Sequence, residues 1–63
     1  MNQTEIKKLK EIVVYKGLSF FQHEQELMAK FESLGYVSLE SKRLFASPTL
    51  EGIDFIISGG YLK

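Results

Sequence analysis

One imidazole, His23, stands beside two carboxylates, Glu24 and Glu26, and no other cluster in the chain resembles the makings of a catalytic or metal site. Acid–base catalysis needs a nucleophile or substrate-positioning partner for such a group, and none is paired with it here. A structural zinc site draws on a closed set of Cys and His ligands. With one histidine and no cysteine, no metal, no cofactor and no enzymatic activity are expected. The carboxylates have a simpler use at the start of a helix, where negative charge complements the macrodipole.

Two other groups of side chains suit binding. Lys42 and Arg43 form an adjacent cationic pair between two apolar runs, where a projecting turn would carry them to phosphate or a narrow minor groove. Lys7, Lys8 and Lys10 put three further cations on the first segment, outside its apolar stripe. The aromatic side chains Phe21, Phe45 and Tyr61 are candidates for a protein-contact surface. Phe20 and Phe21 are neighbours, so one helical face does not bury both, and one of them is left to staple the helix entry or meet a partner.

Composition narrows the classes. The chain has 63 residues, 44% of them hydrophobic, which is enough for one domain with a thin core. At this size burial and ordering entropy nearly cancel, and small domains recover the difference with disulfides, a metal or a partner. The first is excluded by the absence of cysteine and the second is not expected from a lone histidine, so a homodimer is expected. Eight basic and eight acidic residues give no net charge. That balance argues against a high-affinity nonspecific nucleic-acid binder but leaves room for a local basic patch. The run at residues 12–15 is too short for a signal-peptide core, and no stretch approaches a membrane span. The expectation is a cytoplasmic protein that does not enter a membrane.

These residues must be positioned by four segments, separated at Gly17, Gly35 and Pro48. In residues 4–15, Ile6, Leu9, Ile12 and Val13 follow helical spacing, with Asn2 or Thr4 as cap and Gly17 at the stop. The β-branched and aromatic run at 12–15 makes a buried strand the alternative. Residues 20–34 predict a second helix, with Ser19 and Gln22 as a capping box, a stripe of Phe20, Leu27, Met28, Phe31 and Leu34, and Gly35 at its end. Residues 36–46 alternate as a hairpin. A turn over Glu40, Ser41, Lys42 and Arg43 would pair Leu39 with Leu44 and Val37 with Ala46. Residues 49–57 predict a third helix, capped by Ser47 with Pro48 in its first turn, or by Thr49. Its apolar face would be Leu50, Ile53, Ile56 and Ile57. The alternative there is a strand, alternating Ile53, Phe55 and Ile57, which would give a β-α-β-β order. The expected class is therefore α+β, in the order helix, helix, β-hairpin, helix.

Within that order, the run from Leu27 through Gly35 and Tyr36 to Val37 resembles a recognition helix passing into the first wing strand of winged helix-turn-helix proteins. The stretch from Pro48 and Thr49 through Gly52 to Ile56 is similar to the segment after the wing in that group, where a Thr caps a final helix and a Gly allows close packing. The resemblance covers the second half of the chain. Residues 18–34 are too short for both members of a helix-turn-helix pair. Either the first helix is one member, with Gly17 in the turn, or the chain is a pared-down relative. The resemblance implies a DNA-binding regulatory module reading double-stranded DNA. Gln22, His23 and Lys30 would lie on the reading helix, Lys42 and Arg43 on the wing, and Lys7, Lys8 and Lys10 at the backbone.

Two readings thus stand side by side. One is a small DNA-binding regulator, of the kind suited to a phage or mobile element by size alone. The other is a protein-interaction adaptor or inhibitor with no nucleic-acid role, using the exposed aromatics.

Overall fold

A computed structural model describes residues 2–40 and 42–62. The chain folds as α1 (Gln3–Val14), β1 (Leu18–Ser19), a 3-10 turn (Gln22–Glu24), α2 (Gln25–Ser33), β2 (Val37–Glu40), β3 (Phe45–Pro48) and α3 (Leu50–Ser58). The described residues form an α+β fold with three α-helices and one antiparallel three-stranded sheet, in the order β1-β3-β2. The helices over the first and fourth segments are present, and the strand alternatives for residues 12–15 and 49–57 are not.

Helix α1 begins where Asn2 and Glu5 satisfy each other. The Asn2 side chain accepts from the Glu5 N–H at 2.9 Å, and the Glu5 carboxylate accepts from the Asn2 N–H at 3.1 Å. Its end departs from expectation. The left-handed residue is Lys16, at φ 60°, and Gly17 follows it at φ 137°. The Lys16 and Gly17 N–H groups donate back to Val13 and Ile12, closing the helix. Gly17 is needed for space as well, because a Cβ there would lie 2.6 Å from the Phe45 ring.

The second helix starts later than its apolar spacing predicts. Ser19 belongs to β1, pairing with Phe45, so it cannot cap a helix at Phe20. Phe20 instead lies in extended chain with its ring in the core, and the predicted Ser19–Gln22 capping box does not form. The Glu24 carboxylate takes the exposed N–H of Phe21 at 2.9 Å, two residues later. Leu34, assigned to the buried stripe, is the exposed cap residue of α2.

The hairpin forms with its pairing moved by two residues. Leu39 faces Ala46 and Val37 faces Pro48, where Leu44 and Ala46 were expected. A two-residue shift preserves the inner face, as the period of a strand requires. The Arg43 N–H bonds to the Glu40 carbonyl at 3.2 Å, bringing the two ends of the expected turn together. Leu44 then takes a left-handed φ of 47° to bring the chain back into register. Ser41, in the expected turn, lies outside the described residues.

Pro48 ends β3 and does not open α3. Thr49 is the cap: its hydroxyl accepts from the Gly52 N–H at 3.1 Å and donates to the Gly35 carbonyl at 2.5 Å. Gly52 packs against the Tyr36 backbone so closely that a Cβ would collide with its carbonyl oxygen. That contact turns α3 about its axis. Gly52 and Ile56 are buried, whereas Leu50 is 85% exposed and Ile57 is 57% exposed. The core consists of Leu9, Ile12, Phe20, Met28, Phe31, Val37, Ala46 and Ile56.

Candidate protein-docking cleft

Beside Phe20 the backbone of the hairpin returns to the entry of α2. The Phe20 N–H donates to the Leu44 carbonyl at 2.8 Å, fixing the hairpin end against the residues that lead into the helix. Between α2 and the hairpin this leaves a cleft of about 230 Å³, lined by Phe20, Gln25, Ala29, Leu39 and Leu44. None of these side chains is charged. One wall is α2, which presents Gln25 and Ala29 one turn apart. The other is Leu39 of β2 and the left-handed Leu44. Phe21, the residue after Phe20, is 71% exposed and stacked on His23 at 5.6 Å with the rings within 8° of parallel.

The candidate cations do not form one surface. Lys8 sits 3.1 Å from the Glu24 carboxylate and 3.7 Å from that of Glu11. Lys30 reaches both oxygens of Glu5, at 3.0 and 3.1 Å. These two lysines tie α2 to α1. The Lys30 ammonium, then the Asn2 N–H, hold the Glu5 carboxyl below its ordinary range. The Phe21 N–H, then Lys8, do the same for Glu24. Lys7 and Lys10 are elsewhere, bordering a groove of about 390 Å³ with Gln3, Ile6 and Tyr61. Lys42 and Arg43 are exposed at the hairpin tip, where Arg43 lies 3.7 Å from Glu40 and 5.7 Å from the centre of the Phe45 ring. Gln22 and His23 are exposed in the 3-10 turn ahead of α2 and not on the helix itself.

The aromatic candidates separate as well. Phe45 is half-buried, its ring over Gly17 on one side and near Arg43 on another. Tyr61 folds back on Phe55 at 5.6 Å, and Phe55 stacks on Tyr36 at 4.7 Å. The Tyr61 ring therefore completes an internal stack. Of the three, Phe21 alone is largely exposed.

Comparison with protein-family models, with curated proteins and with solved structures finds no match for this chain. Among the described residues no three His, Cys, Asp or Glu side chains gather as metal ligands would, and no helix is long and apolar enough to cross a membrane.

Sequence reasoning missed all five lining residues as a site. Gln25 and Ala29 carry no chemical signal, and Leu39 and Leu44 were read as a core pair. Phe20 was placed in the helix stripe. The available signal was the doubled Phe20-Phe21, which requires one ring inside and the other out.

Proposed function

We propose that this is a small non-enzymatic protein-interaction module that receives an apolar side chain of its partner in the cleft between α2 and the hairpin. The observation that carries this reading is the uncharged lining of that cleft, with the exposed, stacked ring of Phe21 one residue along the chain from Phe20 in its wall. Aromatic anchors next to desolvated pockets supply most of the energy in protein interfaces. The absence of net charge and of cysteine supports a cytoplasmic setting with a protein and not a polyanion as partner.

DNA binding by a winged-helix-like domain is the second reading. It is favoured by one observation, the exposed Lys42 and Arg43 on a hairpin that follows α2. The order of helices and strands is compatible with such a domain. Three features weigh against it: Lys8 and Lys30 are held in ion pairs, Glu26 and Glu32 are exposed on α2, and Gln22 and His23 precede the helix.

A titration of mixed-sequence duplex DNA at two salt concentrations separates the readings. Protein docking predicts no salt-sensitive duplex affinity. Each phosphate contact contributes about 0.9 to the slope of log affinity against log salt, so a wing contact would show as a slope that falls by up to about 2 in the Lys42→Ala, Arg43→Ala double variant. That result would replace the docking reading with the nucleic-acid one.

A further inference from the structure

Turning Gly52 and Ile56 inward leaves α3 with a second stripe, in which Glu51, Asp54, Phe55 and Ser58 follow helical spacing. That stripe borders a groove of about 500 Å³, which Tyr36 and Tyr61 also line. The rings of Tyr36, Phe55 and Tyr61 stack in series and are half-buried, so they give the groove an apolar side. Gly59 makes room for this arrangement, because a Cβ there would collide with the Tyr61 ring. The Tyr61 N–H donates to the Ile56 carbonyl at 3.0 Å and fixes the residue at the end of α3.

The charge in this groove is of one sign. Glu51 and Asp54 line it, and no lysine, arginine or histidine does. Glu5, Glu11, Glu24 and Glu40 each have a cationic partner, whereas among the described residues Glu51 and Asp54 form no ion pair. The Ser58 hydroxyl donates to Asp54 at 3.2 Å, and the Glu51 carboxylate lies against Gly35, the residue before Tyr36. The dipole of α3 accounts for Glu51 in its first turn but not for Asp54, one turn further on.

Two carboxylates beside an aromatic wall suit a cation on an apolar stem, whose stem covers the rings while its head meets the charge. Residues three apart on a helix have Cβ atoms about 5–6 Å apart, a span that a planar guanidinium with donors on several edges can bridge. A lysine ammonium is a compact point charge and lacks that reach. Arg43 shows the same combination within this chain, lying 5.7 Å from the centre of the Phe45 ring and 3.7 Å from Glu40. Ligand pockets run from about 300 to 1,000 Å³, so the groove has room for one long side chain and part of the backbone that carries it.

We infer that this groove binds an arginine side chain of a partner protein, with the guanidinium between Glu51 and Asp54 and the stem along the aromatic wall. No residue lines both this groove and the cleft between α2 and the hairpin, so failure here leaves the cleft reading standing.

The test is a titration of the full chain with a capped Gly-Arg-Gly tripeptide at low salt, followed by amide nitrogen–proton correlation spectra. Saturable shifts are expected at Tyr36, at residues 51–59 and at Tyr61. The citrulline tripeptide, which keeps the shape and removes the charge, should bind about tenfold more weakly or worse. Glu51→Gln with Asp54→Asn, both at exposed positions, should weaken the arginine tripeptide by a similar factor. The citrulline arm alters only the peptide, so the test holds whatever the variant does to folding. No saturable shift up to about 20 mM, or shifts centred elsewhere, overturns the proposal, as does equal binding of citrulline. Equal affinity for the lysine tripeptide would remove arginine as the occupant. Tighter binding of tetramethylammonium at the same residues would remove the partner protein and make the groove a site for small quaternary cations.

Discussion

The Phe20 N–H and the Leu44 carbonyl meet at 2.8 Å, and this single bond joins the entry of α2 to the end of the hairpin turn. It explains two departures from simple patterning together. Phe20 stays outside the helix that its apolar spacing predicts, between Ser19 of β1 and the extended Phe21, and Leu44 accepts a left-handed backbone that a bulky side chain ordinarily avoids. Both residues then line the cleft. The site is thus a consequence of how β1 and the hairpin are tied, and not of any residue with reactive chemistry.

Left-handed geometry at the end of α1 gives a first prediction. Lys16 occupies, at φ 60°, the position that glycine fills most readily. Relief of about 1–2 kcal/mol of strain is partly offset by the added freedom of the unfolded chain. Lys16→Gly should therefore raise the urea midpoint, by about 0.5–1 kcal/mol of stability. Gly17→Ala should lower stability by about 2 kcal/mol or more, because it adds both an unfavourable φ and a clash with Phe45. Equal effects of opposite expectation, or a destabilising Lys16→Gly, would contradict this account of the helix end.

The close approach of α3 to Tyr36 gives a second. Gly52→Ala sets a methyl group against the Tyr36 carbonyl, which is backbone and cannot rotate away. Loss of about 3 kcal/mol or more is expected, or failure to fold, since both the Thr49 cap and the helix position depend on that approach. Thr49→Ala, which leaves the Gly35 carbonyl without its hydroxyl donor, should cost about 1–2 kcal/mol. Denaturation of both variants checks the order, and a Thr49→Ala loss exceeding that of Gly52→Ala would refute it.

These same elements show what was legible in the sequence. The helix at 4–15 and the α+β class follow from periodicity, because Leu9 and Ile12 face the core as their spacing demands. Thr49 and Gly52 were legible as cap and close-packing residue from the winged-helix resemblance. The start of α2 was not, because the Ser19–Gln22 signature is local and pairing of Ser19 with Phe45 in the sheet outweighs it. The two-residue shift in the hairpin was invisible for a different reason: either register keeps the same face inward, and the choice rests on the Leu44 turn. On α3, periodicity gave the stripe Leu50, Ile53, Ile56 and Ile57, of which Ile56 is buried, but Gly52 sets the rotation and leaves Leu50 and Ile57 outside. The cleft is assembled from separate segments, so no contiguous pattern announces it.

Acid should loosen the link between α1 and α2. Glu5 and Glu24 both titrate below the ordinary 4.5 in the folded protein, the first mainly through Lys30 and the second mainly through the Phe21 N–H. A depressed folded value means their stabilisation is fully present above the unfolded value and is lost as pH falls through the folded one. Unfolding free energy should therefore decline below about pH 4.5, and Glu5→Gln with Glu24→Gln should flatten that limb. A limb unchanged in the double variant would place the acid sensitivity elsewhere.

The most direct measurement of the docking claim is photocrosslinking with a diazirine side chain, which reacts with protein and nucleic acid alike, placed at Ala29 in the cleft or at Lys42 on the hairpin tip. Carried out in the cells that make the protein, the cleft position should join to polypeptide, this chain or another, and the adduct should disappear when Leu39→Asp puts a charge into the cleft wall. Nucleic-acid adducts from the tip, with none to polypeptide from the cleft, would contradict the account.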